Sequence, residues 1–101
     1  MTKLSLFVAK SSRRARLLRV QQFPSLKAKD VLALLRQSPL GYVVVRQRGS
    51  HRQLRAEGHG PVLFSYHDAS TVPPRVLRKI LVEDVGLDED RALALTRGEW
   101  A

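Results

Sequence analysis

The chain has no cysteine among its 101 residues, which excludes a disulfide scaffold, a thiolate nucleophile and a cysteine-ligated zinc site. A reducing cytoplasm is the expected location. Aromatic residues are also few, at 6%, so any core must be packed mainly from aliphatic side chains. Long apolar runs are missing too. The one export-like stretch, Leu4 to Ala9, is shorter than a signal-peptide apolar region and runs straight into KSSRRARLLR. Neither a membrane span nor a secretion signal is expected.

Acid is scarce where the chain should fold. Residues 27–82 carry three Asp+Glu against ten Lys+Arg, a net +7, within a formal total of +9. Residues 1–22 add +6 with no acid at all, whereas residues 83–101 carry −4. A basic centre suits a polyanion such as RNA, although basic surfaces also serve solubility alone. The expected organisation is a basic N-terminal extension over 1–22, one folded domain over 23–90 and a C-terminal tail over 91–101. At this length one modest core is the ceiling.

Within the domain, Val31, Leu34 and Leu35 repeat at i, i+3 and i+4, with Lys27, Lys29, Asp30 and Arg36 on the other side. That pattern predicts an amphipathic helix, capped by Ser25 and stopped by Ser38-Pro39 and Gly41. Short β-rich runs follow at Tyr42 to Gln47, His51 to Ala56 and Val62 to Tyr66, separated by turn signals. Their connections are too short for parallel crossovers, so the strands should form an antiparallel meander. TVPPRVLRKIL then predicts a second helix, with Ser70 or Thr71 as cap and prolines in its first turn. Gly86 is a stop signal, and Asp88 can cap a short third helix carrying Leu93 and Leu95. The fold class is therefore α+β: a two-layer α-β-β-β-α sandwich, with a three-stranded antiparallel sheet, both helices on one face and the other face open.

The stretch RQRGSHRQ, Arg46 to Gln53, places His51 beside a glycine and among arginines, with no carboxylate nearer than Glu57. If Leu54 faces the helices, strand alternation sends His51, Gln53 and Arg55 to the open side. A two-residue turn centred on Arg48-Gly49 would set Arg46 across from His51. A turn with Gly49 left-handed plus a bulge would shift that pairing by one. Either way an imidazole, a side chain able to accept a proton, stands among guanidinium groups able to hold phosphate. A base for a ribose 2′-hydroxyl and donors for a phosphorane are the parts that RNA self-cleavage requires. The bland alternative is a surface histidine that contacts phosphate without chemistry. His51, His59 and His67 are spaced eight apart, which matches no usual zinc pattern, so no metal and no cofactor are expected.

Taken together, Lys29-Asp30-Val31-Leu32, Gly41-Tyr42, Arg46-Gln47, Gly49-Ser50-His51 and Gln53 resemble the HicA family of small toxins. The resemblance continues through His67, Val72-Pro73-Pro74, Leu77-Arg78-Lys79-Ile80-Leu81 and Gly86-Leu87, so that it covers roughly residues 25–90. It implies a double-stranded-RNA-binding-like fold, metal-independent endoribonuclease activity against mRNA and a HicB-type antitoxin as partner. It also implies that His51 is the catalytic histidine and that Gly49 shapes its turn. Arg46, Arg48, Ser50, Arg52, Gln53 and Arg55 would contact RNA, and Arg78 with Lys79 would extend that track. The rival reading is a noncatalytic RNA-binding module of the same fold. Two departures from the family pattern stand out: Arg75 replaces a usual glycine, and Ser65-Tyr66 a common Val-Pro.

Overall fold

A computed structural model describes residues 22–99, so the basic extension expected over residues 1–22 lies, Gln22 apart, outside the described residues. Nine elements follow in order. They are β1 (Leu26–Lys27), α1 (Ala28–Arg36), β2 (Val43–Arg48), β3 (His51–Arg55), β4 (Val62–Phe64), β5 (Thr71–Val72), α2 (Pro74–Arg78), a π-helical continuation of α2 (Lys79–Asp84) and α3 (Glu89–Thr96). Strands β2, β3 and β4 form a three-stranded antiparallel sheet in that order. This is the expected α+β architecture, with one addition: β1 and β5 pair as a separate two-stranded ribbon, Leu26 opposite Val72 and Lys27 opposite Thr71.

The core explains which sheet face is covered. Ala28, Val31 and Leu35 of α1, Leu54 of β3, Val62 and Phe64 of β4, and Leu77, Ile80 and Leu81 of the second helix are all buried in one cluster. Alternation then sends Gln53 and Leu63 to the opposite face. Leu63 is 65% exposed there, so none of the described elements covers it. Helix α3 crosses the boundary expected at residue 90. Its Ala92, Leu93 and Leu95 belong to the core, so the stretch up to Thr96 is packed helix rather than tail.

Two expected helix caps are corrected. Lys27, not Ser25, precedes α1, and it makes no side-chain capping bond. The free amides of Ala28 and Lys29 donate instead to the carbonyl oxygens of Ser70 (2.8 Å) and Asp68 (3.2 Å), so the loop before β5 satisfies the helix start and leaves Ser25 without that task. At the second helix Pro73 holds the cap position, while Thr71 is spent in the β1–β5 ribbon and Ser70 precedes it. Pro74, lacking an amide hydrogen, fits the first helical position. The third expected cap is present: Asp88 Oδ1 accepts from the Arg91 amide at 2.8 Å.

The loop between β3 and β4 is clamped at Gly60. The Tyr42 hydroxyl donates to its carbonyl oxygen, and a Cβ at this position would collide with the backbone carbonyl of Asp84 at the end of the π-helix. Only glycine lets the loop lie that close. Burial, and then the negative charge of Asp84, raise the Tyr42 pKa above its ordinary value. The stability carried by the protonated phenol is therefore fully present below about pH 10, where free tyrosine keeps its proton, and is lost as pH rises through the raised value. Chemical unfolding from neutral to alkaline pH should show Tyr42→Phe about 1 kcal/mol less stable than wild type at pH 7, because a partly buried hydrogen bond is gone. The gap should narrow above pH 10. A constant gap throughout would remove Tyr42 as the source of alkaline sensitivity.

Candidate active site

Strands β2 and β3 meet in a turn whose two connecting residues are Gly49 and Ser50, not Arg48 and Gly49. Gly49 takes φ +62° while Ser50 stays out of the left-handed region, the sign pattern of a type II′ turn with glycine first. Glycine carries the positive φ and arginine is spared it. The consequence for register is that Arg48, rather than Arg46, lies opposite His51, and Arg46 lies opposite Gln53.

A bulge at Val45 completes the arrangement. The register shifts between Val44 and Arg46: Val44 pairs with Leu54 on the helix side, whereas Arg46 pairs with Gln53 on the open side. Unbroken alternation from Val44 would have turned Arg46 and Arg48 toward the helices. The extra residue re-aims both arginines onto the face that carries His51. Val45 itself is left 51% exposed.

Arg46, Arg48, His51, Gln53 and Leu63 line a depression of about 330 Å³ on this face. Arg55 belongs to the same face, opposite Val43 at the far end of β3. Among the described residues, Arg46, Arg48 and Arg55 pair with no carboxylate. The depression therefore combines two free guanidinium groups, an amide, an imidazole and an aliphatic wall, without an acid. His51 Nδ1 lies 3.1 Å from Ser65 Oγ, and continuing the β3–β4 register by one residue places these two side by side.

Three expected RNA contacts lie elsewhere. Arg52 alternates to the helix side, where Nη2 donates to Asp68 Oδ1 at 3.1 Å and its side chain is 14% exposed. Arg78 Nε donates to Glu89 Oε2 at 2.9 Å, with Glu83 also within ion-pair reach of its guanidinium group. Lys79 Nζ donates to Asp84 Oδ1 at 3.4 Å. Sequence spacing could not foresee these partners, since every carboxylate involved is five or more positions away. Of the turn residues, Gly49 accepts from Gln47 Nε2 at 3.1 Å through its carbonyl oxygen, and Ser50 is half-buried at the tip. His59 stacks on Tyr42, ring centroids 6.1 Å apart, and neither it nor His67 lines the depression. Ser65 stands out in the sequence only as a departure from the family pattern, and its contact with His51 is the part of the site that sequence reasoning did not assign. The β3–β4 register would have found it.

Among the described residues no group of three or more His, Asp or Glu is placed to hold a metal ion, and no helix is long and apolar enough to cross a membrane. No curated protein and no solved structure matches the chain at a significant level. A family model described as "HicA toxin of bacterial toxin-antitoxin" matches residues 28–87, from the first residue of α1 to just beyond the π-helix. That match takes in more than half of the chain and the whole of the β2–β3 hairpin with its histidine, and on it this protein belongs to the HicA family of toxins of bacterial toxin–antitoxin systems.

Proposed function

We propose that the protein is an endoribonuclease that cleaves mRNA without a metal ion and so blocks translation, with His51 as its catalytic residue. The observation that carries this reading is the acid-free depression, in which His51 shares an open face with Arg46 and Arg48. The donor set suits phosphate and does not suit magnesium, which calls for oxygen ligands such as carboxylates. In the reaction, His51 takes the proton of a ribose 2′-hydroxyl as its oxygen forms a bond to the adjacent phosphorus. The bond from phosphorus to the 5′-oxygen breaks, and that oxygen leaves with a proton returned by the imidazolium ion or by water. Arg46 and Arg48 stabilise the charge gathering on the phosphoryl oxygens. Gly49 and Ser50 shape the turn, while Gln53 and Arg55 extend the contact along the strand.

A toxin of this kind works with an antitoxin, and the proposed partner is of HicB type, seated over the same face. Val43 and Val45 are 56% and 51% exposed, and with Leu63 they give such a partner apolar purchase beside the arginines. RNA incubated with the purified protein in EDTA should yield fragments ending in cyclic or 3′-phosphate. Intact RNA together with a salt-sensitive mobility shift would instead make the protein a noncatalytic RNA-binding module of the same fold.

A further inference from the structure

The geometry points to Ser65 as a positioning residue that fixes which nitrogen of His51 works, an inference resting on the ribonuclease reading above. His51 Nδ1 and Ser65 Oγ are 3.1 Å apart, across neighbouring strands whose pairing reaches Arg52 and Phe64, one residue away. The pair is set by sheet register rather than by two long, mobile side chains. With Nδ1 engaged at Ser65, Nε2 is the ring nitrogen left for substrate.

The direction of the bond follows from the cycle the ring must run. A hydroxyl can accept or donate, so by itself it permits either neutral tautomer. If Nδ1–H donates to Ser65 Oγ, that bond survives both states of the ring, because Nε2 alone gains and loses the proton. If Ser65 donated to Nδ1 instead, Nε2 would already carry hydrogen in the neutral ring and could not accept one from a ribose. Ser65 therefore accepts from Nδ1–H, holding Nε2 bare in the neutral ring and the imidazole plane fixed in both states. It touches neither substrate nor the reacting atoms, and acts only through His51.

Ser65→Thr and Ser65→Val differ in a hydroxyl but hardly in shape, and both fit the exposed position that directly follows β4. The nitrogen resonances of the His51 ring, recorded with the ring uncharged, should show hydrogen on Nδ1 in wild type and Ser65→Thr. In Ser65→Val they should move toward hydrogen on Nε2. Cleavage by Ser65→Val should fall about five- to tenfold in kcat with KM little changed, the size expected for one lost hydrogen bond, while Ser65→Thr stays near wild type. An identical ring pattern in the two variants would overturn the assignment, as would altered tautomers with equal kcat. Should wild type itself cleave nothing while the ring pattern still follows the hydroxyl, the ribonuclease reading falls and the hold of Ser65 on the ring stands.

Discussion

His51→Ala is expected to lower RNA cleavage by about a hundred- to ten-thousand-fold, the range a general acid–base group contributes, and to relieve growth arrest when the toxin is expressed alone. RNA affinity should stay within a few fold. The reason for the split is geometric. Arg46, Arg48 and Arg55 reach the open face from other positions of the hairpin and keep their charge in the variant, and phosphate contacts supply most non-specific nucleic-acid affinity. Folding should be nearly untouched, since the His51 side chain is exposed and surface substitutions usually fall within about ±0.5 kcal/mol. Single-turnover cleavage, a filter-binding titration and a thermal melt on the same preparation check all three. Equal cleavage by the variant would remove His51 from the mechanism. Loss of cleavage and binding together would make it a phosphate contact instead.

Replacing Arg46 or Arg48 with alanine should instead lower RNA affinity and cleavage together in the same assays, since both groups hold phosphate and stabilise its developing charge. They gain their place through the bulge at Val45, so their effect belongs to the backbone as much as to their charge. A strand read as strictly alternating from Val44 puts Arg46 and Arg48 under the helices, where two unpaired guanidinium groups would be costly. One inserted residue resolves that conflict and brings both groups to the histidine.

This is also where the sequence was readable and where it was not. The helix at 28–36, the three strands and the Asp88 cap follow from periodicity and turn chemistry, which act over a few residues. That His51 and Gln53 share a face opposite Leu54 follows from alternation alone. The features missed depend on contacts between distant positions. The β1–β5 ribbon joins residues 26–27 to 71–72, with too few residues in each strand to leave a pattern. The start of α1 is capped by carbonyls of residues 68 and 70, a contact that local spacing around Ser25 does not reveal. Arg52, Arg78 and Lys79 looked like part of one cationic track, but each meets a carboxylate brought to it by the fold. Gly49 is legible as a turn residue, but its place as the first of the two loop residues, which sets the register of the pairs beyond it, is not.

Leu54→Ala should cost about 2–5 kcal/mol, the range for truncating a buried leucine. Leu54 is fully buried, pairing with Val44 and Val62 across the sheet and packing into the same cluster as Leu35, Leu77 and Leu81. Against a total stability of about 5–15 kcal/mol for a domain, that is a large fraction, and the melting temperature should fall by roughly 4–8 °C for each kcal/mol lost. Leu63→Ala, on the neighbouring strand at a residue that is 65% exposed, should change stability by about 0.5 kcal/mol or less. The contrast measures which sheet face is the core. It also bears on the site, because Leu54 anchors the strand whose next side chains, Gln53 and Arg55, lie on the open face with His51. A cavity beneath that strand should loosen the register holding His51 opposite Arg48, so the residual folded fraction of Leu54→Ala should cleave more slowly than wild type at equal folded concentration. If Leu63→Ala proved the more destabilising of the two, the faces would be reversed and the depression lined by Arg46, Arg48 and His51 would lie under the helices.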